Sequence, residues 1–427
     1  MTPRTETISD LPARLTIDHP DTQDGTALLS TATLSRRAAT TTGSPRLPWS
    51  ALLVMALTGF ILIATETMPA GLLPQIAAGM GVTEGTVGQY VSAYALGTVI
   101  AAIPAITLTR GLRRKPLLLI GLTGFLVANT VTALTPDIAL SLATRFLAGA
   151  FSGLLWGMLA GYARRITTPE LAGRALSIAS LGTPVGLAVG TPFGSWLGTT
   201  LDWRWSFGAL SLLTLITLAL IVVLVPDASG QRAESRTPLH RVATLPGVAA
   251  ILAVVFVWML AHNTVYTYIS AYLRTADVGL TVDAALVVFG LAALVGIWIT
   301  GAVVDRALRP LVLASIALFA VAGGVFILGH GSLVAVLIAI AAWGVAFGGA
   351  AAQVQTAIGE ASGENADVAN ALLGVSFNLA IFTAGVLGAL LISGGDGLVL
   401  PAVMIALALV AFSIAAVARR SAFPVGR

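Results

Sequence analysis

Long apolar segments separated by short polar turns run through this chain from residue 49 onward. A membrane-spanning helix needs roughly 20 mostly apolar residues, because each residue adds about 1.5 Å and the hydrocarbon layer is about 30 Å thick. Twelve segments reach that length: 49–77, 84–109, 116–135, 137–163, 174–199, 204–225, 246–273, 283–304, 310–329, 332–357, 366–392 and 397–418. The sequence therefore predicts an all-α integral membrane protein with twelve transmembrane helices.

The composition excludes most other classes of protein. Charged residues make up only 10% of the 427 residues, whereas a soluble protein uses about 25% to solvate its surface, so lipid is an expected partner. The absence of cysteine excludes disulfides, thiolate metal sites and a cysteine nucleophile. The basic residues form no single patch, the histidines lack metal-ligand spacing, and no phosphate-binding loop or nucleophile–base grouping occurs. We expect no nucleic-acid partner, no metal, no cofactor and no enzymatic activity.

The distribution of positive charge predicts the orientation of the chain. When the connections between spans are assigned alternately to two sides, twenty of the 23 Lys and Arg residues fall on the side that bears both termini. Only Arg204 and Arg274 fall on the other side, and Arg145 lies inside a span. Loops rich in Lys and Arg stay in the cytoplasm. We therefore expect a multi-pass protein of the plasma membrane with both termini cytoplasmic.

The polar segments divide the chain into parts. Residues 1–48 are rich in Thr, Ser, Pro and Asp without apolar periodicity, which predicts a disordered cytoplasmic tail. Six spans form an N-terminal bundle over 49–225, and the longest polar interruption between spans, 226–245, predicts a cytoplasmic linker. Six further spans form a C-terminal bundle over 246–420, followed by a short cytoplasmic tail at 421–427.

The two halves resemble each other at a separation of 196 residues, which places Ala105–Arg113 on Gly301–Arg309. In both, the end of a helix is followed by a basic turn. The second run resembles the signature loop of the major facilitator superfamily, a glycine followed by Asp-Arg and further basic residues. The resemblance covers about residues 49–420. It implies two pseudo-symmetric six-helix bundles in a monomer, with a small-molecule substrate bound near the midplane between them.

Further segments resemble one group within the superfamily, the twelve-helix drug:proton antiporters, in the branch of arabinose-efflux permeases and chloramphenicol exporters. These segments are Thr65-Glu66 with Gly71–Ala77, Arg145–Gly149, Gly186–Gly194 with Asp202–Arg204, Tyr266–Ile269 and Phe377–Leu379. The chain departs from the pattern at Ala105 and Thr109, where the family has Gly and Asp, and at Thr191, which stands between Gly190 and Pro192.

Glu66 is the only acidic residue deep within a predicted span. An ionised carboxylate in the bilayer centre costs about 2.5–3.5 kcal/mol on insertion scales, so such a residue is expected to be protonated, paired or facing water. The functional interpretation is a proton-coupling carboxylate that also contacts a polar or cationic substrate. The alternative is a structural carboxylate bonded to neighbouring helices.

Two other side chains are candidates for the same process. Arg145 is the only basic residue buried within a span and lies at a depth similar to that of Glu66, so it is a candidate charge partner. The separation of 196 residues places His262 opposite Glu66, which makes it a second candidate for proton coupling. The alternatives are an arginine that holds helices together through backbone carbonyls, and a histidine that is hydrogen-bonded in the core.

Other polar and aromatic residues within spans are available to a mostly apolar pocket. The candidates for substrate contact are Gln89, Tyr90, Tyr94, Trp156, Asn263, Tyr266, Tyr268, Gln353 and Asn378. The gate and motif candidates are Arg110, Arg113, Arg114, Gly186, Gly190, Pro192, Gly194, Gly301, Asp305, Arg306 and Arg309. For any one pocket residue or glycine, helix packing is the simpler interpretation. For the basic residues, the charge rule for topology alone is an alternative.

The resemblance implies a secondary active transporter that exports a small organic molecule, such as an antibiotic, a sugar or a nucleoside, driven by the proton gradient through alternating access. One buried carboxylate fits proton-coupled uptake equally well, and an uncoupled facilitator of the same fold is a further alternative. A membrane receptor or assembly partner without transport is the alternative from a different class.

Overall fold

The computed structural model describes residues 47–109, 111–230, 239–419 and 421–423, and within these ranges the chain forms helices and turns without a strand. The predicted tail at 1–48 lies almost entirely outside these ranges, and the predicted linker at 226–245 lies outside them at residues 231–238; both stay predictions. The helices are α1 Trp49–Gly71, α2 Leu73–Met80, α3 Glu84–Thr109, α4 Arg114–Leu134, α5 Ile138–Arg165, α6 Ala172–Ser180, α7 Gly182–Val185, α8 Thr191–Thr200, α9 Trp203–Leu224, α10 Leu239–Ala243, α11 Val248–Thr267, α12 Ile269–Ala276, α13 Val282–Leu328, α14 Leu333–Gly348, α15 Ala350–Ser362, α16 Ala366–Ile392 and α17 Val399–Val417.

These helices make up the twelve predicted spans. Ten segments of the described chain are long and apolar enough to cross a membrane. One of them, α13, contains 47 residues with non-helical dihedrals at Ala307; at about 1.5 Å per residue it is two bilayer-spanning helices joined at a kink. The 26 residues of α3 supply the remaining span. The prediction of an all-α membrane fold with two six-helix bundles is confirmed.

The internal repeat is visible in the positions where helices break. The first span is interrupted at Leu72 and the seventh at Tyr268, which are 196 residues apart. The two breaks have nearly the same dihedrals, φ −119°, ψ 12° and φ −112°, ψ 27°. Each is followed by a helix of 8 residues, α2 and α12. The backbone thus repeats at the separation that the sequence motifs indicate.

Glycine stripes allow helices of the first half to approach closely. A Cβ at Gly149 would overlap the carbonyl oxygen of Tyr94 on α3, and one at Gly182 would overlap the carbonyl oxygen of Ala56 on α1. The motif residues Gly186, Gly190 and Gly194 lie against Ile63, Phe60 and Met68 of α1 in the same way. Small residues favour helix association in lipid because they permit backbone contact.

The two halves are joined at the end of the bundle where α3 begins, which we call the far end. Glu84 of the first half forms a two-pronged ion pair with Arg274 of the second, at 2.7 and 3.0 Å. Ser92 donates to the carbonyl oxygen of Phe382 at 3.0 Å, and a Cβ at Gly85 would lie 3.4 Å from the Cβ of Ala389. These contacts close the far end.

At the opposite end, the chain that leaves α9 is fastened to its own half. Asp227 forms an ion pair of 2.5 Å with the Arg113 Nε and accepts a hydrogen bond of 3.1 Å from the backbone N–H of Lys115. Tyr162 donates to the carbonyl oxygen of Pro226, and Arg165 donates to those of Ser229 and Gly230. We call residues 226–230 the strap.

The strap predicts a pH-dependent stability. Desolvation opposes ionisation of Asp227, but hydrogen bonds from the N–H groups of Lys115 and Ala228 and the nearby Arg113 guanidinium lower the pKa of this carboxyl below its usual value. A depressed carboxyl pKa stabilises the fold above the unfolded pKa of about 4 and loses that contribution as the pH falls through the folded pKa. We expect D227N to lower the melting temperature in detergent at pH 7, and the difference from the wild type to shrink below about pH 4. An unchanged difference at low pH would contradict this role.

Candidate functional site

Glu66 lies on α1, six residues before the break at Leu72. The side chain is half-buried inside the first span, and in the described part of the chain its carboxylate has no hydrogen bond and no ion pair within 4.0 Å. The Glu66 carboxylate lies close enough to the Arg145 guanidinium for the two charges to attract each other. Glu66 is therefore a carboxylate that the protein holds in the membrane interior without saturating its hydrogen-bonding capacity.

Arg145 on α5 is fully buried. Its Nη2 donates to the carbonyl oxygen of Thr65 at 2.8 Å, and its guanidinium carbon lies 4.9 Å from the ring centre of Tyr94 and 5.6 Å from that of Phe207. Within the described residues, Nε and Nη1 have no hydrogen-bond partner. The cation is held by one carbonyl and two aromatic faces, which leaves two nitrogens with three N–H groups available in a buried site.

Pro69 explains why the Thr65 carbonyl is available to Arg145. In an α-helix the N–H of residue 69 would donate to the carbonyl of residue 65, but proline has no N–H. The orphaned carbonyl, one residue before Glu66, accepts instead from the guanidinium on α5. The proline of α1 thus fixes the arginine next to the segment that carries the carboxylate.

This relation predicts a coupling between Pro69 and Arg145. Pro69→Ala supplies an N–H that competes with Arg145 for the Thr65 carbonyl, which weakens the contact with Arg145. The same substitution improves helix propensity, so the change in the free energy of unfolding combines two opposing terms. A double-mutant cycle with Arg145→Met separates the two terms. We expect P69A to be more favourable in the R145M background than in the wild type by about 1.5–3 kcal/mol, the contribution of a hydrogen bond to a charged group. Thermal unfolding in detergent is the measurement, and P104A, in α3, is the matched control that should show no coupling.

Hydroxyl groups from both halves meet one residue further along α1. Thr67 and Thr191 are joined through their Oγ1 atoms at 2.5 Å, and Thr67 also donates to the carbonyl oxygen of Ile63. The buried Tyr266 hydroxyl, which comes from α11 in the second half, lies beside these two threonines. Thr191 directly follows the π-helical stretch Gly186–Gly190, a type of irregularity that is frequent at functional sites.

The second half places an aromatic cluster, rather than a carboxylate, opposite Glu66. His262 on α11 lies six residues before the break at Tyr268, as Glu66 does before Leu72. Its ring stacks on Phe347 and accepts a hydrogen bond from Trp343. The site is therefore asymmetric: a carboxylate and a guanidinium lie on one side, and a surface of aromatic rings lies on the other.

Comparison with known proteins identifies the fold family. The family model described as "Major Facilitator Superfamily" matches residues 55–384. The chain belongs to the major facilitator superfamily. It is also 30% identical over 356 residues to the "Transcription regulatory protein OpdE" of Pseudomonas aeruginosa, a match that covers 80% of this chain and 87% of that protein. The protein is thus a multi-pass membrane transporter by family.

The remaining pocket candidates of this transporter take different positions. Several make hydrogen bonds that hold helices together: Tyr90 with Ser141, Gln89 and Tyr268 with the carbonyl oxygen of Gly385, and Gln353 with Thr300 and Ser315. Asn263 and Asn378 donate within their own helices, to Met259 and Gly374. Trp156 is half-buried on α5 near Gly59. Their predicted contact with substrate stays a prediction.

The charged gate candidates of the transporter lie at or near the ends and kinks of helices. Arg113 binds the strap, and the backbone N–H of Arg114 donates to Ala228. Arg309 donates to the carbonyl oxygens of Ala415, Ala416 and Phe423, so it caps the last helix of its own half. Asp305 and Arg306 are exposed next to the kink of α13 at Ala307, and Gly301 is exposed six residues before it. Arg110 lies outside the described residues. A role in gating stays a prediction for this set.

Sequence reasoning missed three features of the site: the helix-breaking role of Pro69, the hydrogen bond from Trp343, and the Glu84–Arg274 pair. The pattern Glu66-x-x-Pro69 could have revealed the first, since a mid-helix proline always leaves a carbonyl four residues earlier without its donor. Glu84 and Arg274 have opposite charges and lie at span ends assigned to the same side of the membrane, so the sequence could have predicted that they pair. Nothing in the sequence points from Trp343 to His262.

Proposed function

We propose that this transporter exports a small organic molecule in exchange for protons, with Glu66 as the proton-binding group and Arg145 as its charge partner. The observation that carries the proposal is a carboxylate inside a span that has no hydrogen-bond partner in the described chain, near a fully buried guanidinium with two unpartnered nitrogens. Such groups are costly in lipid and are retained where they transfer ions or protons.

The two groups give a simple exchange cycle. When Glu66 is ionised, the nearby cation Arg145 stabilises its charge in a medium of low dielectric constant. When Glu66 takes up a proton, that attraction is lost, and the unpartnered nitrogens of Arg145 face a neutral side chain and can pair with an acceptor of the substrate instead. Proton binding and substrate binding then favour different arrangements of the two halves, as coupling requires.

The export direction rests on the resemblance of Glu66–Ala77 and Gly186–Gly194 to drug:proton antiporters. Proton-coupled uptake uses the same groups with the opposite sign of coupling. The second candidate function is that of a regulatory membrane protein without transport. It is supported by the relative from Pseudomonas aeruginosa, which is named a transcription regulatory protein.

Reconstitution separates these functions. Cells that express the protein are screened with drugs, sugars and nucleosides for resistance or altered accumulation, and compounds that respond are tested as labelled substrates in proteoliposomes. Proton-coupled export predicts accumulation of the substrate on the acidic side of the imposed pH gradient, whereas proton-coupled uptake predicts accumulation on the alkaline side. Flux that is independent of the gradient would indicate a facilitator, and absence of flux for every responding compound would favour the regulatory function.

The charge distribution supports an orientation with both termini in the cytoplasm of the plasma membrane. Reporters inserted within residues 230–240 are expected to read as cytoplasmic, and a reporter next to Asp137 as external. The reason is that the fourth, fifth and sixth predicted spans separate the two positions, and an odd number of crossings places them on opposite sides. An external reading for 230–240 would contradict the orientation.

A further inference from the structure

His262 is enclosed by aromatic rings from three helices. Its imidazole stacks on Phe347 with ring centres 3.5 Å apart and planes within 5°. The rings of Tyr266, Phe289 and Trp343 lie 5.3, 5.6 and 5.4 Å away. In the part of the chain that the structure describes, no hydrogen bond or ion pair joins the imidazole to a charged group. A cage of this kind offers no counter-charge for an imidazolium.

The hydrogen bond from Trp343 determines where the imidazole proton lies. The indole Nε1 donates to the His262 Nδ1 at 3.0 Å, and an indole nitrogen can only donate. Nδ1 must therefore present a lone pair, so the neutral ring carries its proton on Nε2. Protonation of Nδ1 would bring two N–H groups into opposition and break the contact.

The other nitrogen is left to act as a donor. Nε2 has no partner within the described residues. Unlike the Trp258 Nε1 and the Arg145 Nε, which are unpartnered and fully enclosed, Nε2 is not fully enclosed. His262 keeps 5% of its surface exposed, and we assign this opening to the Nε2 edge. Phe347, which carries the stacked imidazole, also lines a small apolar cleft with Trp258 and Met259.

We propose that Trp343 is a positioning residue that holds His262 as a neutral imidazole protonated on Nε2, and that His262 is a fixed hydrogen-bond donor to an uncharged acceptor of the transported molecule rather than a proton carrier. The acceptor is a carbonyl, ether or hydroxyl oxygen, or an unprotonated ring nitrogen, attached to an apolar or aromatic body that suits the surrounding rings. Only the identity of the ligand as cargo rests on the proposed transport function; the protonation state does not.

The charged groups around α11 leave this assignment intact. Among the described side chains, the charged groups on the helices that pack against α11 or supply rings to the cage are Glu66 on α1, Arg241 on α10, Arg274 on α12, Asp283, Asp305, Arg306 and Arg309 on α13, and Glu360 on α15; Asp367 on α16 lies outside the described side chains. None of them forms a hydrogen bond or an ion pair with His262 in the described chain. Among the described side chains, no titrating group bonds to His262, so we expect a change of pH to leave the contacts between the imidazole and its cage in place.

Nuclear magnetic resonance of the imidazole nitrogens tests the protonation state without any transport assay. The full-length protein is labelled with ¹⁵N-histidine in detergent, and the His262 signals are identified as those lost in both H262F and H262Q, so that misfolding of one variant does not decide the assignment. We expect the Nε2–H tautomer, unchanged from pH 5.5 to 8, and conversion to a titrating or mixed-tautomer ring in W343F. An imidazolium in the wild type, an Nδ1–H tautomer, or a W343F spectrum identical to wild type would overturn the proposal.

Matched probes test the donor role. Benzophenone and diphenylmethane differ in a single carbonyl oxygen, so both fit an apolar surface but only the first accepts a hydrogen bond. We expect benzophenone to shift the His262 Nε2 resonance in the wild type and diphenylmethane to leave it in place, with H262Q retaining and H262F losing the preference for benzophenone as read by tryptophan fluorescence. Equal shifts by both probes, or no shift at saturation of the micelle with benzophenone, would overturn the donor role. Failure of the proposed transport function would leave both spectra as expected.

Discussion

Glu66→Gln is expected to reduce transport driven by a pH gradient to the level of protein-free vesicles. Glutamine keeps the size and hydrogen-bonding capacity of a protonated carboxyl group but cannot release a proton. The half-cycle in which Glu66 is ionised beside Arg145 is therefore lost, whereas the arrangement with a neutral side chain persists. Exchange of substrate for substrate, which needs no net proton movement, should survive. The measurement compares gradient-driven uptake with counterflow in the same proteoliposomes.

Two further results make this test decisive. Glu66→Asp retains a titrating group with a shorter reach and is expected to keep part of the gradient-driven flux. Substrate added to purified protein in weak buffer should release protons from the wild type and not from E66Q. Equal proton release from both proteins would show that the coupling proton is bound elsewhere, and it would also exclude the exchange cycle proposed for Glu66 and Arg145.

A disulfide between positions 85 and 389 is expected to abolish transport reversibly. A Cβ at Gly85 lies 3.4 Å from the Cβ of Ala389, close to the separation of about 3.5–4.5 Å that a disulfide needs. Gly85 belongs to the first half and Ala389 to the second, next to the Glu84–Arg274 ion pair. Alternating access requires the halves to separate at each end in turn, so a covalent link across the far end removes one of the two states.

The chain contains no cysteine, so the two introduced cysteines can pair only with each other within one molecule and no native cysteine has to be removed first. G85C and A389C alone are the controls and should transport normally under oxidising conditions, and a reductant should restore flux to the double variant. Full activity of the cross-linked protein would contradict an alternating-access cycle in which the far end opens. The variant R274M should act in the opposite direction and weaken the closed far end, seen as faster labelling of a single cysteine placed at position 85.

The sequence by itself determined the architecture of this protein. Twelve apolar segments fix the number of membrane spans, because only helices of that length satisfy their backbone hydrogen bonds across lipid. The separation of 196 residues between repeat motifs located the matching positions of Glu66 and His262, and the structure shows breaks at the same separation, at Leu72 and Tyr268. Depth along a helix follows from residue count, so the sequence also placed a carboxylate and a guanidinium in the membrane interior.

Tertiary structure alone decided which groups meet. In lipid, the outward face of a helix is as apolar as its packed face, so periodicity gives depth but not neighbours. Several hydrogen bonds join helices that are far apart in the chain. The Thr65 carbonyl accepts from Arg145, and the Trp343 indole donates to His262. The backbone oxygen of Gly385 accepts from both Gln89 and Tyr268. Their contacts depend on interhelical geometry, to which one sequence contributes side-chain sizes and glycine stripes but no distances.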